Sequence, residues 1–449
     1  MPDSLNSFLF STPEMTRIFS VEEQLRCMMR FEDALMAALE RTGLASSGSV
    51  EAFAPFLDGK FVEKEALLRE AQNSGNIVIP FVRQLTDAVI AHDVEAARCI
   101  HLGATSQDVL DTALVLQMRA GITLIQASVA RLDIALLSQI HRHRRTILSG
   151  RTWLQPGPPT TLGLKLAGVL SALRRNSRRL AAAAEHGLQL QFGGAVGTLA
   201  SLGNKGPIVS KHLAQLLDLP EAQMPWHTHR DNFVEIVQTL ATLTGTLSKF
   251  AADVALLMQA EISEASEPTH PGRGGSSTMP HKHNPVSCAA VAAIQVRMPA
   301  LSATMLAAMP QQHERGLGLW QAEWETMPQA FQLTAAAIDA SIQIAEGLEI
   351  SPARMQANMD ALLGLPLAEA VTATLAPIIG RQQAHSLLRT ASDRAASQHQ
   401  ALGEVLKKMP EVMAHLSNDQ VDRLLDPRNY LGAADHFIAR VLGEDDALR

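Results

Sequence analysis

What this chain has little of narrows the possibilities first. Aromatic residues make up only 4% of its 449 residues, with a single tyrosine, Tyr430, which argues against a fold built on aromatic and β-branched strands. Three cysteines, Cys27, Cys99 and Cys288, are odd in number and far apart. That excludes a disulfide framework and fits reduced thiols. No run of like charge occurs, and Lys+Arg 38 against Asp+Glu 45 leaves a net charge of −7, so no nucleic-acid surface and no polybasic membrane anchor is expected. No uninterrupted apolar run reaches about 18 residues, and Asp3 precedes any basic residue. Neither a membrane span nor a signal peptide is expected, and the location expected is cytoplasmic.

Proline is absent over long stretches: none lies between Pro80 and Pro156, between Pro159 and Pro207, or between Pro225 and Pro268. Such spans permit helices far longer than the globular average. What is present favours them, because Ala, Leu, Met and Gln abound in a chain that is 47% hydrophobic and 18% charged. In the first span Leu110, Leu114, Met118, Ile122, Ile125, Val129, Leu132, Leu136 and Ile140 recur at steps of three or four, as one apolar helix face requires. Thr105 or Ser106 is placed to cap this helix, with Asp108 in its first turn. A second long helix is expected from about Thr160 into the 180s and a third from about Asp231 to Ser266, with further helices after Val286 and Met327. The expected fold is all-α. Punctuation divides it into an N-terminal helical domain over 1–105, a central bundle of long helices over 106–350 with a loop at 267–285, and a C-terminal helical domain over 351–449. Helices of such length need partners along their whole length, and copies of the same helices from other subunits are the simplest source.

Three segments carry groups suited to binding anions. The first, EPTHPGRGGSSTMPHKHNP from Glu267 to Pro285, is rich in Gly, Pro, Ser and His and is too long for an ordinary connection. Gly274 and Gly275 free the backbone, Ser276 and Ser277 offer hydroxyls, and Lys282 brings a charge. A solvated surface loop is the plainer reading. A phosphate-binding P-loop is excluded, because GxxxxGK[ST] is absent. The second, HLGATSQD from His101 to Asp108, puts Thr105 and Ser106 at a helix start, where backbone N–H groups attract carboxylates; simple capping would also explain them. The third, GRTWLQPGPPTTLG from Gly150 to Gly163, turns the chain between two long helices and contains Arg151 and Trp153. The sixteen histidines include His-x-His pairs at 141/143, 227/229 and 281/283, none with companion ligands at zinc-site spacing, so no metal is expected. Arg315, in HERGLGLWQAEWET, is either a bidentate anion clamp or a surface ion pair.

GSSTMPHKHNP, Gly275 to Pro285, resembles the signature loop of the fumarase/aspartase superfamily, whose members add or eliminate groups across a double bond beside a carboxylate. HLGATSQD and GRTWLQPGPPTTLG resemble the other two active-site segments in order and spacing. WLQ, HERGLGLWQAEWET and LLDPRNYLG at Leu424 to Gly432 resemble the bacterial branch that lactonises carboxymuconate. The resemblance implies a three-domain helical homotetramer around a long-helix bundle, with each site built from segments of three subunits. It implies a small anionic tricarboxylate substrate and no metal, nucleotide or organic cofactor. By the same resemblance Ser276 exchanges the proton beside a carboxylate, Lys282 and Asn284 bind that carboxylate, Thr105 and Ser106 make further carboxylate contacts, and His101 assists. Arg315 and Arg151 are the candidates for a third carboxylate.

Two departures from the superfamily pattern are informative. Most members have a histidine where this chain has Trp153, and a glutamate where it has Ala289. Expelling hydroxide or an amine needs an acid to protonate the leaving group, so both losses would be severe for a hydratase or an ammonia lyase. Lactonisation differs, because the attacking group is the substrate's own carboxylate, with a pKa near about 4. It is ionised at neutral pH and needs no base. An adenylosuccinate-lyase-like activity and a non-catalytic scaffold are the alternatives; a sulfonate in place of the third carboxylate fits the same donors.

Overall fold

The computed structural model describes residues 7–268, 274–275, 278–279 and 282–444. Six long helices dominate: α1 (Val21–Arg41), α2 (Ser106–Arg142), α3 (Leu162–Gly187), α4 (Asp231–Leu257), α5 (Val286–Ala307) and α6 (Leu319–Glu346). Helix α2, at 37 residues, is roughly 55 Å long at about 1.5 Å per residue. Strand among the described residues is confined to two small antiparallel sheets, β1 (Ile147–Thr152) with β2 (Gln155–Thr161) and β3 (Ala265–Ser266) with β4 (Glu349–Ile350).

The chain forms two compact units. One comprises Met1–Val129, Asn176–Gly245 and Ala293–Asp339, the other Ala130–Arg175, Thr246–Ala292 and Ala340–Arg449. In the first unit α1 buries Met28, Phe31, Leu35 and Leu39, and the opening of α2 is buried almost all round: Val109, Ala113, Val115 and Met118 are fully enclosed, but so are the polar Asp108, Asp111 and Thr112. The apolar stripe read from the sequence is present, while Leu114 on it is only half-buried. In the second unit the far half of α2 buries Leu132, Leu136 and Ile140. Arg174 reaches both oxygens of Asp133, at 2.6 and 2.9 Å, and the Val441 carbonyl at 2.6 Å. Arg144 bonds Asp435 and Glu444 at 2.6 and 2.7 Å, which ties the terminal helix Ala434–Leu442 to this unit. Its C-terminal part has a separate core around Val371, Leu375, Leu388, Leu406 and Val412.

Three boundaries differ from the sequence reading, each for a physical reason. Helix α4 stops at Leu257 and not at Ser266, because Ala265 and Ser266 pair with Ile350 and Glu349; no Gly or Pro in 258–266 announces this, and a tertiary pairing overrides local propensity. Helix α6 begins at Leu319, ahead of Met327, and carries Pro328 inside it. Trp320 and Trp324 pack edge to face with ring centroids 5.0 Å apart in that first stretch, and both Trp320 and Glu323 are buried, so packing sustains a helix that proline would weaken. The segment at 150–163 is a β-hairpin. Its two-residue turn places Trp153 and Leu154 at φ 53° and 62°, the left-handed pair of a type I′ turn, normally filled by Asn and Gly. Pro156, Pro158 and Pro159 are tolerated in β2 because a two-stranded sheet has only edge strands.

Glycines in α3 test this packing. A Cβ on Gly163 would lie 2.7 Å from the Cα of Arg144 and 3.1 Å from two backbone carbonyls, whereas one on Gly168 meets nothing within 4 Å. Gly163→Ala is expected to destabilise the protein by about 1–3 kcal/mol, because backbone cannot yield. Gly168→Ala is expected to stabilise it by about 0.5–1 kcal/mol through helix propensity. Urea unfolding of the two variants checks both signs.

Candidate active site

In the first unit the residues singled out in sequence gather at the start of α2. Neither the Thr105 nor the Ser106 side chain caps the helix; among the described residues their half-buried hydroxyls have no hydrogen-bond partner. Asp108 does the local work, its Oδ2 accepting from the Thr105 N–H at 3.0 Å. The same buried carboxylate accepts from the N–H groups of Gly193 and Gly194 at 3.0 and 2.9 Å and lies 2.6 Å from His227 Nε2. His227, one half of a His-x-His pair, is thus engaged with a carboxylate. Four donors around one carboxylate satisfy its lone pairs and justify its complete burial.

The turn that Asp108 holds also orients Arg315. Gly194, at φ +66°, and Gly193 leave no room for a side chain: an added Cβ would lie 2.8 Å from the Gly103 carbonyl or 2.7 Å from Pro225. With its N–H groups turned to Asp108, this turn aims the Gly194 and Ala195 carbonyls at Arg315 Nη2, at 2.8 and 3.0 Å; Nη1 bonds the Glu314 carbonyl at 2.8 Å. Burial pulls this guanidinium below its ordinary value, opposed by the charges of Asp108 and Asp111, and it stays charged at any physiological pH. Its contacts are carbonyls, with no carboxylate paired to it among the described residues. A half-buried cation held only by neutral acceptors is equipped to take an anion.

His101 precedes the start of α2 and lies within reach of the charge of Asp108. Its Nδ1 lies 2.7 Å from Glu32 Oε1, and its backbone N–H donates to Glu32 Oε2 at 3.1 Å. Burial lowers its pKa, but the charge and hydrogen bond of Glu32 and the charge of Asp108 more than reverse this, so the imidazole titrates above the ordinary histidine value.

Beneath the site lies a feature that the sequence reading missed. Arg230, fully buried, bonds both oxygens of Asp111 at 2.7 and 3.0 Å and Glu323 Oε2 at 2.6 Å. The Trp226 and Phe233 rings flank its guanidinium at 4.9 and 4.6 Å. Trp320 Nε1 and Gln107 Nε2 donate to Asp111, each at 3.1 Å, and Gln311 Nε2 donates to Glu323 at 3.0 Å. Burial raises the Glu323 pKa while Arg230 opposes the rise. No local motif marks these residues; only the spacing of Asp108 and Asp111, three apart on one helix face, hinted at a polar seam.

The second unit holds the other candidates. Arg151, on β1, is tied through Nη2 to the buried Glu264 at 2.7 Å, and Asn358 donates to the same oxygen at 2.9 Å. Trp153, at the hairpin tip, is 95% exposed. The loop is anchored at both ends: Glu267 accepts from the N–H groups of Ser287 and Cys288 at 3.1 and 2.7 Å, occupying the N-terminus of α5, and the Gly274 carbonyl accepts from the Asn284 N–H at 2.8 Å and Nδ2 at 3.1 Å. Gly274, at φ +67°, is required there, since a Cβ would lie 2.7 Å from the Asn284 carbonyl. Lys282 is exposed, its N–H bonded to the Met279 carbonyl at 3.0 Å. Ser276 and Ser277 lie outside the described residues. Ala289 is exposed on the first turn of α5. The first unit therefore brings together His101, Thr105, Ser106 and Arg315, while Arg151, Trp153, Lys282 and Asn284 belong to the second.

Residues 10–299 match the family model described as Lyase, and residues 364–441 match the one described as Adenylosuccinate lyase C-terminus. The chain is 46% identical to a 3-carboxy-cis,cis-muconate cycloisomerase of Pseudomonas aeruginosa, over 98% of this chain and 96% of that one. A protein of the same name from Acinetobacter baylyi is 41% identical, with 98% of each chain covered. The crystal structure of the 3-carboxy-cis,cis-muconate lactonizing enzyme from Pseudomonas putida matches with a TM-score of 0.94 at 45% identity, over 99% of both chains.

Removing Arg230 strands two buried carboxylates. Arg230→Ala is expected to lower stability by about 3–5 kcal/mol, as breaking one side of a buried ionic cluster does, read as a fall in the midpoint of urea unfolding.

Proposed function

The chain belongs to the lyase family within the fumarase/aspartase superfamily, and on that premise we propose that it closes 3-carboxy-cis,cis-muconate to a carboxymuconolactone, in the protocatechuate branch of the β-ketoadipate pathway. The whole-length identity to relatives of that name carries this reading. Trp153 and Ala289 support it, since they remove an acid–base pair that lactonisation does not need.

The proposed reaction proceeds as follows. One substrate carboxylate attacks the far carbon–carbon double bond, forming the ring C–O bond and moving the electron pair onto the carbon beside another carboxylate. Lys282, Asn284 and backbone N–H groups of the loop stabilise this enolate-like charge, usually the largest catalytic term. Ser276 then delivers a proton to that carbon and is reprotonated from solvent. The trianion becomes a dianion, so a proton is taken up for each ring closed. Holding the diene folded supplies much of the remaining acceleration. Ser277, Thr105 and Ser106 give hydroxyl contacts, His101 assists, and Trp153 closes over the apolar diene. Arg315 suits the third carboxylate better than Arg151, because Arg151 is neutralised by Glu264 whereas Arg315 is bonded only to carbonyls. A 3-sulfo analogue offers an anion at the same position.

A cytoplasmic homotetramer, with each site drawing its segments from three copies, completes the reading. Helices α2, α4 and α5 are apolar and long enough to cross a membrane, yet the most apolar window of each is only 39%, 44% and 28% buried within one chain. Copies of the same helices would cover these faces.

Added without metal to 3-carboxy-cis,cis-muconate, the enzyme is expected to abolish the ultraviolet absorbance of the diene with stoichiometric proton uptake, and to leave adenylosuccinate in a parallel cuvette intact. Cleavage of adenylosuccinate alone would overturn the reading. Ser276→Ala is expected to lower kcat by about 100-fold or more in a particle of unchanged size by analytical ultracentrifugation.

A further inference from the structure

Glu32 is the only charged residue among those buried on α1, set among Met28, Met29, Phe31, Leu35 and Met36. An ionised carboxylate in an apolar face is unfavourable unless it is paired. Both of its oxygens serve one residue, His101, through the ring and through the backbone N–H. That backbone is itself in an unusual state: His101 has φ +60° and Gly103 follows at +84°. A left-handed histidine persists only where its surroundings hold it, and the bond to Glu32 Oε2 does so. The ring is one-fifth exposed, and among the described residues its outer nitrogen, Nε2, has no hydrogen-bond partner. Close by in the chain, at the start of α2, stand the unpartnered hydroxyls of Thr105 and Ser106.

We propose that Glu32 is a positioning residue for the lactonisation: it fixes the tautomer and direction of His101 so that a protonated ring offers Nε2–H to a carboxylate of the bound tricarboxylate. The proposal rests on the reading of His101 as part of the site. With Nδ1–H committed to Glu32, a second proton can sit only on Nε2, and there the ring is a charge-assisted donor. The charged groups acting on the ring are Glu32 from α1 and Asp108 from α2; burial works against the proton and the two carboxylates restore it. Because the folded pKa is raised, the donor form extends to higher pH than in a free imidazole and is lost as pH climbs past the raised value. Binding of the anion weakens with it.

The experiment is the pH profile of kcat/KM toward 3-carboxy-cis,cis-muconate for the wild type, Glu32→Gln, Glu32→Asp, His101→Gln and the Glu32→Gln/His101→Gln double variant. Glu32→Gln is expected to move the alkaline limb to lower pH and to lower kcat/KM at pH 8 by about 10- to 100-fold, taking as a guide the loss when the hydrogen-bond partner behind a metal-ligating histidine is removed. Most of that loss should fall in KM. Glu32→Asp, which keeps the charge, is expected to keep the limb near its wild-type position. His101→Gln should abolish the limb, and the double variant should be no worse than His101→Gln alone, because the two residues act as one unit. An unmoved limb in Glu32→Gln, or additive losses in the double variant, would overturn the proposal. Should the wild type not turn over the muconate, the lactonisation reading fails, and the same limb is read from calorimetric binding of tricarballylate: a shift in Glu32→Gln there still supports the dyad, and no shift rejects it. If Glu32→Gln does not fold, Glu32→Asp and His101→Gln decide, with a shared alkaline limb in Glu32→Asp that vanishes in His101→Gln as the supporting result and a limb retained in His101→Gln as the rejecting one.

Discussion

The first unit depends on two carboxylates buried on one face of α2. Asp108 and Asp111 sit three residues apart at 0% and 1% exposure, where an unpaired charge would be prohibitive. Each is therefore surrounded. Asp108 collects the Gly193 and Gly194 N–H groups, His227 and its own helix start; Asp111 collects Arg230, Trp320 and Gln107. Because those partners come from α2, α6, the 191–195 segment and the 227–230 approach to α4, satisfying two side chains fixes the mutual placement of four parts of the chain. A core of interchangeable leucines would tolerate sliding that these directional bonds do not.

From that constraint the site chemistry follows by short steps. The turn that gives its N–H groups to Asp108 gives its carbonyls to Arg315, so the guanidinium is oriented without being neutralised. At the helix start the Thr105 N–H donates to the Asp108 side chain and the Asp108 N–H donates to the Thr105 carbonyl, so neither hydroxyl is drawn into the cap and both are left free for a ligand. In the second unit the loop follows the same logic at smaller scale. Glu267 holds the first N–H groups of α5 and Asn284 closes onto Gly274, so Lys282 stands between two fixed points while its own charge stays unpaired among the described residues.

What the protein does without is as telling as what it holds. An acid–base pair serves eliminations whose leaving groups need a proton. A carboxylate that attacks or departs as an anion has no such need, and a large indole at the Trp153 position is then no handicap. On the proposed reading substrate charge becomes the dominant handle, and Arg315, Lys282, Asn284 and the hydroxyls of α2 are the cations and donors that would answer to it.

Much of this architecture is legible in the amino-acid sequence. Proline-free spans and the three-to-four spacing of Leu110 through Ile140 mark the long helices, because helical periodicity is written locally. The Gly, Ser and Lys content of the 267–285 segment, and hydroxyls at a helix start, mark anion-binding chemistry for the same reason. The hairpin at Trp153, the early end of α4 and the early start of α6 are not legible there, since pairing partners and packing across the fold override local preference. Nor is Arg230 visible, nor Glu32: each looks in sequence like an ordinary surface charge, and only its enclosure makes it structural. The sequence by itself determined the helical class and the superfamily, and it pointed to the segments proposed to carry the chemistry. The tertiary structure decided which charges are spent on each other and which remain for a substrate, because that depends on desolvation and hydrogen-bond distance between residues far apart in the chain, such as Asp111 and Trp320, which no local pattern encodes.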